Sequence, residues 1–238
     1  MRKKIVVWLK KQVLKAGAKG IVFGLSGGLD SCVVAALAQE ALGPRRVLAL
    51  ILPCHSQKQH VAEAKAFAKR LKLKTKYIDL SKAYDSLVEV LPPAGRLTKA
   101  NIPPRLRMAV LYFFAKKSNY LVCGTSNKSE LMAGYFTKFG DGGSDILPLG
   151  CVYKTRVRCL AKELKVPQEI IDKPPTAGLW PGQTDEAEMG ITYRQLDDIL
   201  ARLESGRKQI FSRQKVIKVK RMVAASAHKR QGPAVCEL

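Results

Sequence analysis

Short apolar runs alternate with amphipathic stretches along the first half of the chain. β-Branched and aliphatic runs at 19–25, 46–53 and 76–80 predict three strands. Between them, the alanine-rich stretches 30–42 and 61–73 predict helices. This alternation is typical of parallel strands joined by right-handed helical crossovers. The sequence therefore predicts an α/β fold with a doubly wound, mainly parallel sheet and helices on both faces.

Two loops rich in proline and glycine interrupt the pattern further on. The first covers 91–104, and the second, at 134–150, holds five of the 18 glycines. An apolar helix is predicted at 105–118 and a fourth strand at 120–125. Residues 173–186 have the proline and glycine content of a mobile lid. The other predicted helices lie at 154–165, 192–203 and 212–227, and a first helix presents Ile5, Trp8, Leu9 and Val13 on one face. No repeat or linker divides the sequence, so we expect a single domain over 1–238.

The charge of the chain is strongly one-sided. Lys and Arg number 42 against 19 Asp and Glu, a net charge of +23, and no acid lies between Ser205 and Cys236. Such an excess indicates affinity for nucleotides, pyrophosphate, nucleic acid or an acidic membrane surface. A solvated, lysine-rich surface explains the same composition equally well.

The cysteines indicate a reducing compartment. Six are present, with no CxxC pair, so we expect reduced, buried thiols and a cytoplasmic protein. His55 beside Cys54 is a minor metal-site candidate. The first apolar run is too short for a secretory signal, and no segment has the apolar length of a membrane span.

The most informative stretch is FGLSGGLDS, from Phe23 to Ser31. It follows the first predicted strand, where open α/β sheets bind ligands. Gly27 and Gly28 let the backbone approach an anion, and the next helix directs its positive end towards phosphate. Asp30 would repel a bare phosphate, which indicates magnesium between them, although a simple N-cap is the alternative for this residue.

In this position SGGLDS resembles the pyrophosphate loop of the N-type ATP pyrophosphatases. Six later blocks resemble the NAD synthetases in order and spacing: NIPPRLRM (101–108), LVCGTSNKSE (121–130), GYFTKFGDGGSDILPL (134–149), YKTRVRCLAKEL (153–164), KPPTAGLWPGQTDEAEMGITYRQLDDIL (173–200) and SAHKR (226–230). The resemblance covers nearly the whole chain after about residue 20. It implies a Rossmann-like, adenine nucleotide alpha hydrolase-like fold. It also implies an ammonia-dependent ligase that adenylates deamido-NAD with ATP and releases AMP and pyrophosphate.

Carried over by position, the resemblance implies a role for each matching residue. Magnesium would be held by Asp30 and Glu130, and the catalytic residues would be Lys154, at the phosphate chain, and Asp141, near the incoming ammonia. ATP would be bound by Gly24, Leu25, Ser26, Gly27, Gly28, Leu29, Asp30, Ser31, Thr125, Lys154 and Thr176. Deamido-NAD would be bound by Arg105, Lys138, Asp145, His228 and Lys229. For Asp141 a purely loop-forming role is the competing interpretation.

The resemblance also sets expectations about partners. It implies a homodimer, to which the apolar helix 105–118 contributes either interface or core. We expect no glutaminase domain, so ammonia would come from solution or from a separate partner. The stretch SQKQHVAEA (56–64) departs from the family by lacking an acidic position near Gln59, which puts adenosine contacts there in doubt.

Two rival functions remain to be weighed against this interpretation. The first is a tRNA-modifying enzyme that adenylates a base, which the basic segment after Ser205 would suit. We do not expect a nucleic-acid partner, because the HKR block already has a small-molecule explanation. The second is a non-catalytic nucleotide-binding protein, which would lack the metal carboxylates Asp30 and Glu130.

Overall fold

A four-stranded, entirely parallel sheet forms the centre of the computed structural model, which describes residues 1–236 apart from Ala177, Leu179 and Pro181. The strands are β1 (Gly20–Gly24), β2 (Val47–Ile51), β3 (Lys74–Tyr77) and β4 (Tyr120–Val122). Their order across the sheet is β3-β2-β1-β4, so the chain reverses direction of winding between β1 and β4. Ligands bind at such a reversal in open α/β sheets.

Helices cover both faces of this sheet, as the alternation predicts. The helices are α1 (Arg2–Lys15), α2 (Leu29–Leu42), α3 (Lys58–Arg70), α4 (Ser81–Glu89), α5 (Arg96–Ala100), α6 (Ile102–Ser118), α7 (Lys128–Ala133), α8 (Lys154–Glu163), α9 (Gln168–Ile171), α10 (Asp185–Met189), α11 (Tyr193–Glu204) and α12 (Arg213–Ala225). Short 3₁₀ turns lie at Pro44–Arg46 and Ala227–Lys229. None of the helices in the described part of the chain has the length and apolar character of a membrane-spanning segment.

Three apolar clusters hold these layers together. The largest joins α1, α2, α3 and α8 to one face of the sheet through side chains such as Leu9, Phe23 and Leu37. A second joins α4 and α6 to the opposite face around Leu50. The third packs α10, α11 and α12 together around Leu196. The doubly wound architecture is therefore confirmed.

Some element predictions are wrong in detail. The stretch 91–104 is not all loop, because α5 lies within it and α6 already begins at Ile102. Pro103 and Pro104 occupy the first turn of α6, where a proline costs no intrahelical hydrogen bond. In α1 the buried face is Ile5, Val6, Leu9 and Val13, whereas Trp8 is 37% exposed.

The cysteine prediction is correct only in part. All six cysteines are free, but Cys151, Cys159 and Cys236 are exposed rather than buried. Of the three buried thiols, Cys32 lies in α2, and Cys54 and Cys123 follow the ends of β2 and β4, where small apolar side chains fit the packed core. Spacing along the chain carries no signal that separates the two groups.

Candidate active site

The loop between β1 and α2 is a compact turn held by its own hydroxyl groups. Ser31 Oγ donates to the Gly28 carbonyl at 2.9 Å and lies 3.1 Å from Ser26 Oγ. Gly27 has φ +80°, and a Cβ there would lie 2.7 Å from the His60 carbonyl oxygen of α3. Only glycine satisfies both conditions without displacing α3.

Asp30 lies in the first turn of α2 and does not cap it. The N-cap is Gly28, which contributes no side chain, so the N-cap interpretation of Asp30 is wrong. The Asp30 carboxylate instead accepts a hydrogen bond from Asn127 Nδ2 at 2.9 Å, across the reversal between β1 and β4. Asp30 is therefore free of a helix-capping role and is directed into the site.

The segment after β4 supplies the second carboxylate. Asn127 caps α7 by accepting from the Glu130 backbone N–H at 3.1 Å, and Glu130 Oε2 accepts from the Asn127 backbone N–H at 3.2 Å. This reciprocal capping box fixes the direction in which the Glu130 side chain leaves the helix. The structure thereby brings Asp30 and Glu130, 100 residues apart in sequence, to one place.

Lys154, the first residue of α8, lies between these two carboxylates. Its Nζ donates to Asp30 Oδ2 at 2.5 Å and to Glu130 Oε1 at 3.0 Å. The Lys154 side chain is 5% exposed, and those of Asp30 and Glu130 are 16% and 15% exposed. Lys154 is thus not a surface lysine but the cation of a nearly buried triad.

The electrostatics of this triad leave it short of positive charge. Burial lowers the pKa of Lys154, but Asp30 and Glu130 outweigh that effect, so its pKa lies above the ordinary value. Burial raises the pKa of Glu130, and Asp30 adds to the rise, while Lys154 opposes it. Because the ammonium has two anionic partners, it stays charged, and the excess carboxylate is the group that resists ionisation. A second cation would relieve this excess.

Two further residues lie beside the triad and were missed by sequence reasoning. Lys154 Nζ is 5.1 Å from the centroid of the Tyr193 ring, and Tyr193 donates its hydroxyl to Asp185 Oδ2 at 3.0 Å. Asp185 is 3% exposed, and its Oδ1 has no hydrogen-bond partner among the described residues. Burial raises the pKa of Asp185, and Lys154 opposes the rise. A third carboxylate therefore acts electrostatically on the same ammonium.

The residues predicted to hold deamido-NAD form a second group around the loop that follows α7. Arg105 Nη2 donates to the Lys138 carbonyl at 3.3 Å, and Lys138 Nζ donates to the His228 carbonyl at 2.6 Å. Lys229 Nζ donates to the carbonyls of Gly134 and Phe136 at 2.8 and 2.9 Å. Four of the five predicted residues thus meet across three separate segments.

Asp145, the fifth of that set, is engaged differently. Its Oδ2 accepts from the Val122 backbone N–H at 2.7 Å, and its Oδ1 accepts from the Tyr112 hydroxyl at 3.1 Å. With Tyr112 and Tyr120 it lines an open cavity of about 420 Å³ on the α6 side. Asp145 therefore secures the end of β4 and borders a depression on the surface.

The Asp141 carboxylate turns back towards its own loop. Asp141 Oδ1 accepts from the Thr137 backbone N–H at 2.8 Å. The residue is exposed by total area, but its carboxyl group is poorly solvated, and this desolvation raises its pKa. The backbone hydrogen bond from Thr137 and the positive charges of Arg107 and Lys229 oppose this rise in pKa.

The two threonines predicted to contact ATP lie in different settings. Thr125 is half-buried just beyond β4, beside the capping segment of α7. Thr176 is exposed, and its Oγ1 accepts from the Gly178 backbone N–H at 3.0 Å. The predicted lid falls partly outside the described residues, at Ala177, Leu179 and Pro181.

The region that departs from the family pattern is tied into α3. Gln59 Nε2 donates to Glu63 Oε1 at 3.1 Å, and Glu63 also pairs with Lys173. His55 lies 2.8 Å from Asp85 Oδ1 at the surface, while the Cys54 thiol is directed to the Leu80 carbonyl. In the described part of the chain no three His, Cys, Asp or Glu side chains form a metal cluster.

Comparison with known proteins places this geometry in context. The NAD synthase family model matches residues 1–233. An NH(3)-dependent NAD(+) synthetase from Archaeoglobus fulgidus is 45% identical over 99% of this chain and 95% of its own length.

Two solved structures are similar over their full length. An NMN synthetase from Francisella tularensis is 40% identical with a TM-score of 0.92, covering 100% of this chain and 97% of that one. An NH3-dependent NAD synthetase from Campylobacter jejuni, in complex with nitrate, is 29% identical with a TM-score of 0.87, covering 99% and 97%.

Proposed function

The chain belongs to the NAD synthase family, and we propose that it is a ligase that converts deamido-NAD to NAD with ammonia and ATP. The observation that carries this proposal is the buried triad of Asp30, Glu130 and Lys154 beside a glycine-rich loop at the reversal of the sheet. The comparisons do not favour the base-adenylating alternative.

The chemistry explains why such a site is needed. A carboxylate is a poor electrophile, because attack by ammonia would add negative charge to a group that is already anionic. Transfer of the adenylyl group from ATP to the nicotinate carboxylate releases pyrophosphate and forms a mixed anhydride. Ammonia then attacks the carbonyl carbon, and AMP leaves with the bridging oxygen. The enzyme must therefore hold two anionic substrates together.

ATP is assigned to the end of the site that contains the triad. The loop from Gly24 to Ser31 offers backbone N–H groups and hydroxyls, and the 14-residue helix α2 adds its positive end. Lys154 then turns its ammonium from the carboxylates to the phosphate chain, a role suited to a mobile point charge. Thr125 and Thr176 are assigned to the same nucleotide.

Magnesium fits the donor set at this point. Asp30 and Glu130 direct one oxygen each at a single position, which the Lys154 ammonium now fills at 2.5 and 3.0 Å. Carboxylate oxygens are the ligands that magnesium prefers, and the surplus negative charge of the triad favours a divalent cation. The metal would supply charge neutralisation for the phosphates, and Asp30 and Glu130 would hold it.

Deamido-NAD is assigned to the cluster of Arg105, Lys138, His228 and Lys229. Lys138 and Lys229 now donate to backbone carbonyls, so each ammonium is already oriented and exchanges a neutral acceptor for an anionic one when substrate binds. Asp145 is assigned to the same substrate from the neighbouring cavity that it lines with Tyr112 and Tyr120. Asp141 receives a proton from the attacking ammonia, a role that its raised pKa supports.

A second substrate is suggested by the NMN synthetase, which is 40% identical to this chain, whereas the Campylobacter NAD synthetase is 29% identical. The product of an NMN synthetase lacks the adenylyl half of NAD. Nicotinate mononucleotide is therefore the second candidate substrate, amidated by the same chemistry. The similarity to the NAD(+) synthetase of Archaeoglobus fulgidus, at 45% identity, favours deamido-NAD.

The assembly and location of the enzyme follow as part of the proposal. Phe113 of α6 and Phe139 are 61% and 57% exposed, and large exposed apolar side chains of this kind support a homodimer. Six free thiols suit a reducing cytoplasm. Light scattering of the purified protein at micromolar concentration measures the assembly directly.

An activity assay tests the proposed reaction. Purified protein is mixed with ATP, magnesium and either deamido-NAD or nicotinate mononucleotide, with ammonium or glutamine as nitrogen donor. We expect NAD, AMP and pyrophosphate from deamido-NAD with ammonium only. Faster amidation of the mononucleotide would reassign the substrate, and absence of any amide product would refute the proposal.

A further inference from the structure

Asp197 of α11 is a buried carboxylate that contacts the start of the helix carrying Lys154. It is 5% exposed. One of its oxygens accepts from the Ser129 hydroxyl, and the other accepts from the Thr155 backbone N–H at 2.9 Å. Ser129 Oγ in turn accepts from the Lys154 backbone N–H at 2.8 Å. The first two backbone N–H groups of α8 are thus both linked to Asp197: that of Thr155 directly, and that of Lys154 through the Ser129 hydroxyl.

Helix α8 depends on this external acceptor. Its N-cap residue, Tyr153, makes no capping hydrogen bond with its side chain. The first amides of a helix need acceptors, and a carboxylate near the N-terminus is stabilised by the helix dipole. Asp197 provides that carboxylate from a different helix, so α8 is fixed to α11 at the residue that matters most for the site.

The same contacts fix the second carboxylate of the triad. Ser129 is 0% exposed and directly precedes Glu130 in α7. Its hydroxyl lies between the Lys154 amide and Asp197, so a single hydrogen-bonded group ties the backbone of Glu130 to the backbone of Lys154. Tyr193, one turn earlier on α11, lies beneath the Lys154 ammonium at 5.1 Å.

We propose that Asp197 is a positioning residue that, through Ser129 and the start of α8, sets the Lys154 ammonium for the phosphate chain of ATP. This inference rests on the proposed function in one respect only, that Lys154 contacts ATP. In the described part of the chain, Asp197 makes its hydrogen bonds to Ser129 and Thr155 and none to the proposed metal ligands Asp30 and Glu130. Its effect is to hold the origins of Lys154 and Glu130 at a fixed separation.

The test compares two adjacent carboxylates of α11. Asp197→Asn keeps the size of the side chain but leaves one carbonyl oxygen to accept, so one of the two accepted hydrogen bonds is lost. Asp198 is a matched control, because it lies next in the same helix and, among the described residues, its carboxylate pairs with Arg202 alone, at 3.1 Å near the surface. We expect Asp197→Asn to lower kcat/KM for ATP by about tenfold to 100-fold, the range of one lost hydrogen bond to a charged group. Its KM for deamido-NAD should change less than about threefold, and Asp198→Asn should remain within about twofold of the parent enzyme for both substrates.

A second set of variants separates positioning from a merely structural role. In a Lys154→Met background, Asp197→Asn should change the Kd for a fluorescent ATP analogue by less than about twofold, because both changes act through the same ammonium. Independent losses that multiply would overturn the inference. So would a lower melting temperature accompanied by unchanged ATP kinetics well below that temperature.

A second variant and a second measurement cover the cases in which Asp197→Asn does not fold or the parent forms no NAD. Should Asp197→Asn fail to fold, Ser129→Ala removes only the bridging hydroxyl, and it should give the same selective loss for ATP. Equal losses for ATP and deamido-NAD would contradict the inference. If the parent protein forms no NAD, the proposed function fails, while the affinities for the ATP analogue still decide the role of Asp197.

Discussion

Replacing Lys154 with methionine leaves Asp30 and Glu130 facing each other without the cation between them. Two hydrogen bonds of 2.5 and 3.0 Å are lost, and each such bond to a charged group contributes roughly 1.5–3 kcal/mol. Breaking a buried ion pair costs about 3–5 kcal/mol. Glu130 offsets part of this cost by taking up a proton, because burial already raises its pKa. We therefore expect the free energy of unfolding to fall by ~3 kcal/mol and the melting temperature to fall by roughly 6–12 °C in a chain of this length.

Lys128 provides the control for this measurement. It pairs with Glu204 at 2.6 Å, a distance between the two in the triad, but the two side chains are 23% and 42% exposed. An exposed pair contributes up to about 1 kcal/mol, so Lys128→Met should lower the melting temperature by only a few degrees. Thermal and urea unfolding followed by circular dichroism measure both variants.

Adding magnesium to the same unfolding experiment tests whether Asp30 and Glu130 bind the metal. Magnesium chloride should restore part of the lost stability of Lys154→Met, because a divalent cation replaces the ammonium between the carboxylates. Sodium chloride at equal ionic strength should not. Equal losses for the two lysine variants would refute the argument from burial, and equal recovery with either salt would refute the magnesium assignment.

Three further predictions follow from single contacts. Glu130→Gln should raise the magnesium concentration needed for half-maximal NAD formation by about tenfold or more, since one of two anionic ligands is lost; an unchanged titration would contradict ligation. Gly27→Ala should lower the free energy of unfolding, measured by urea titration, by roughly 1–3 kcal/mol. Gly27 has φ +80°, and the added Cβ would lie 2.7 Å from the His60 carbonyl oxygen. Gly24→Ala is the control and should unfold like the parent, because a Cβ on Gly24 has no such neighbour within 4 Å. Burial raises the folded-state pKa of Asp141, so its contribution to stability is present below the ordinary Asp pKa and is lost as pH rises through the raised value. Asp141→Asn should therefore flatten the dependence of the melting temperature on pH, and it should also lower NAD formation. A melting temperature that depends on pH in the same way in the variant and the parent would disprove the assignment.

Parts of the fold and site could be predicted because they depend on local sequence. Composition alone is enough to recognise the apolar strands β1 and β2 and the glycine-rich loop from Gly24 to Ser31. The capping box of Asn127 and Glu130 also has a recognisable Asn-x-x-Glu spacing. By contrast, nothing local distinguishes Lys154 from other lysines until Asp30 and Glu130 enclose it.

Other residues could not be found because their roles arise only from tertiary contacts. Asp197 and Asp198 are adjacent acids on one amphipathic helix, and the sequence offers no reason to separate them. In the structure one is buried against the start of α8, and the other is paired at the surface. Asp185 is similar, since its burial beside Tyr193 depends on how α10 packs on α11.

The contrast between the whole chain and its site is itself informative. The protein carries a net charge of +23, yet the Lys154 ammonium in the candidate site interacts with four carboxylates, those of Asp30, Glu130, Asp185 and Asp197. A long-range positive potential draws anionic nucleotides towards the molecule, but ATP adds further negative charge when it reaches the triad. With ATP bound as proposed, the local deficit of positive charge would be largest, and a divalent cation would then bind most favourably. Under the proposed assignment the surface and the site would therefore serve separate steps: the surface would attract anions, and the carboxylates would favour binding of ATP together with the metal.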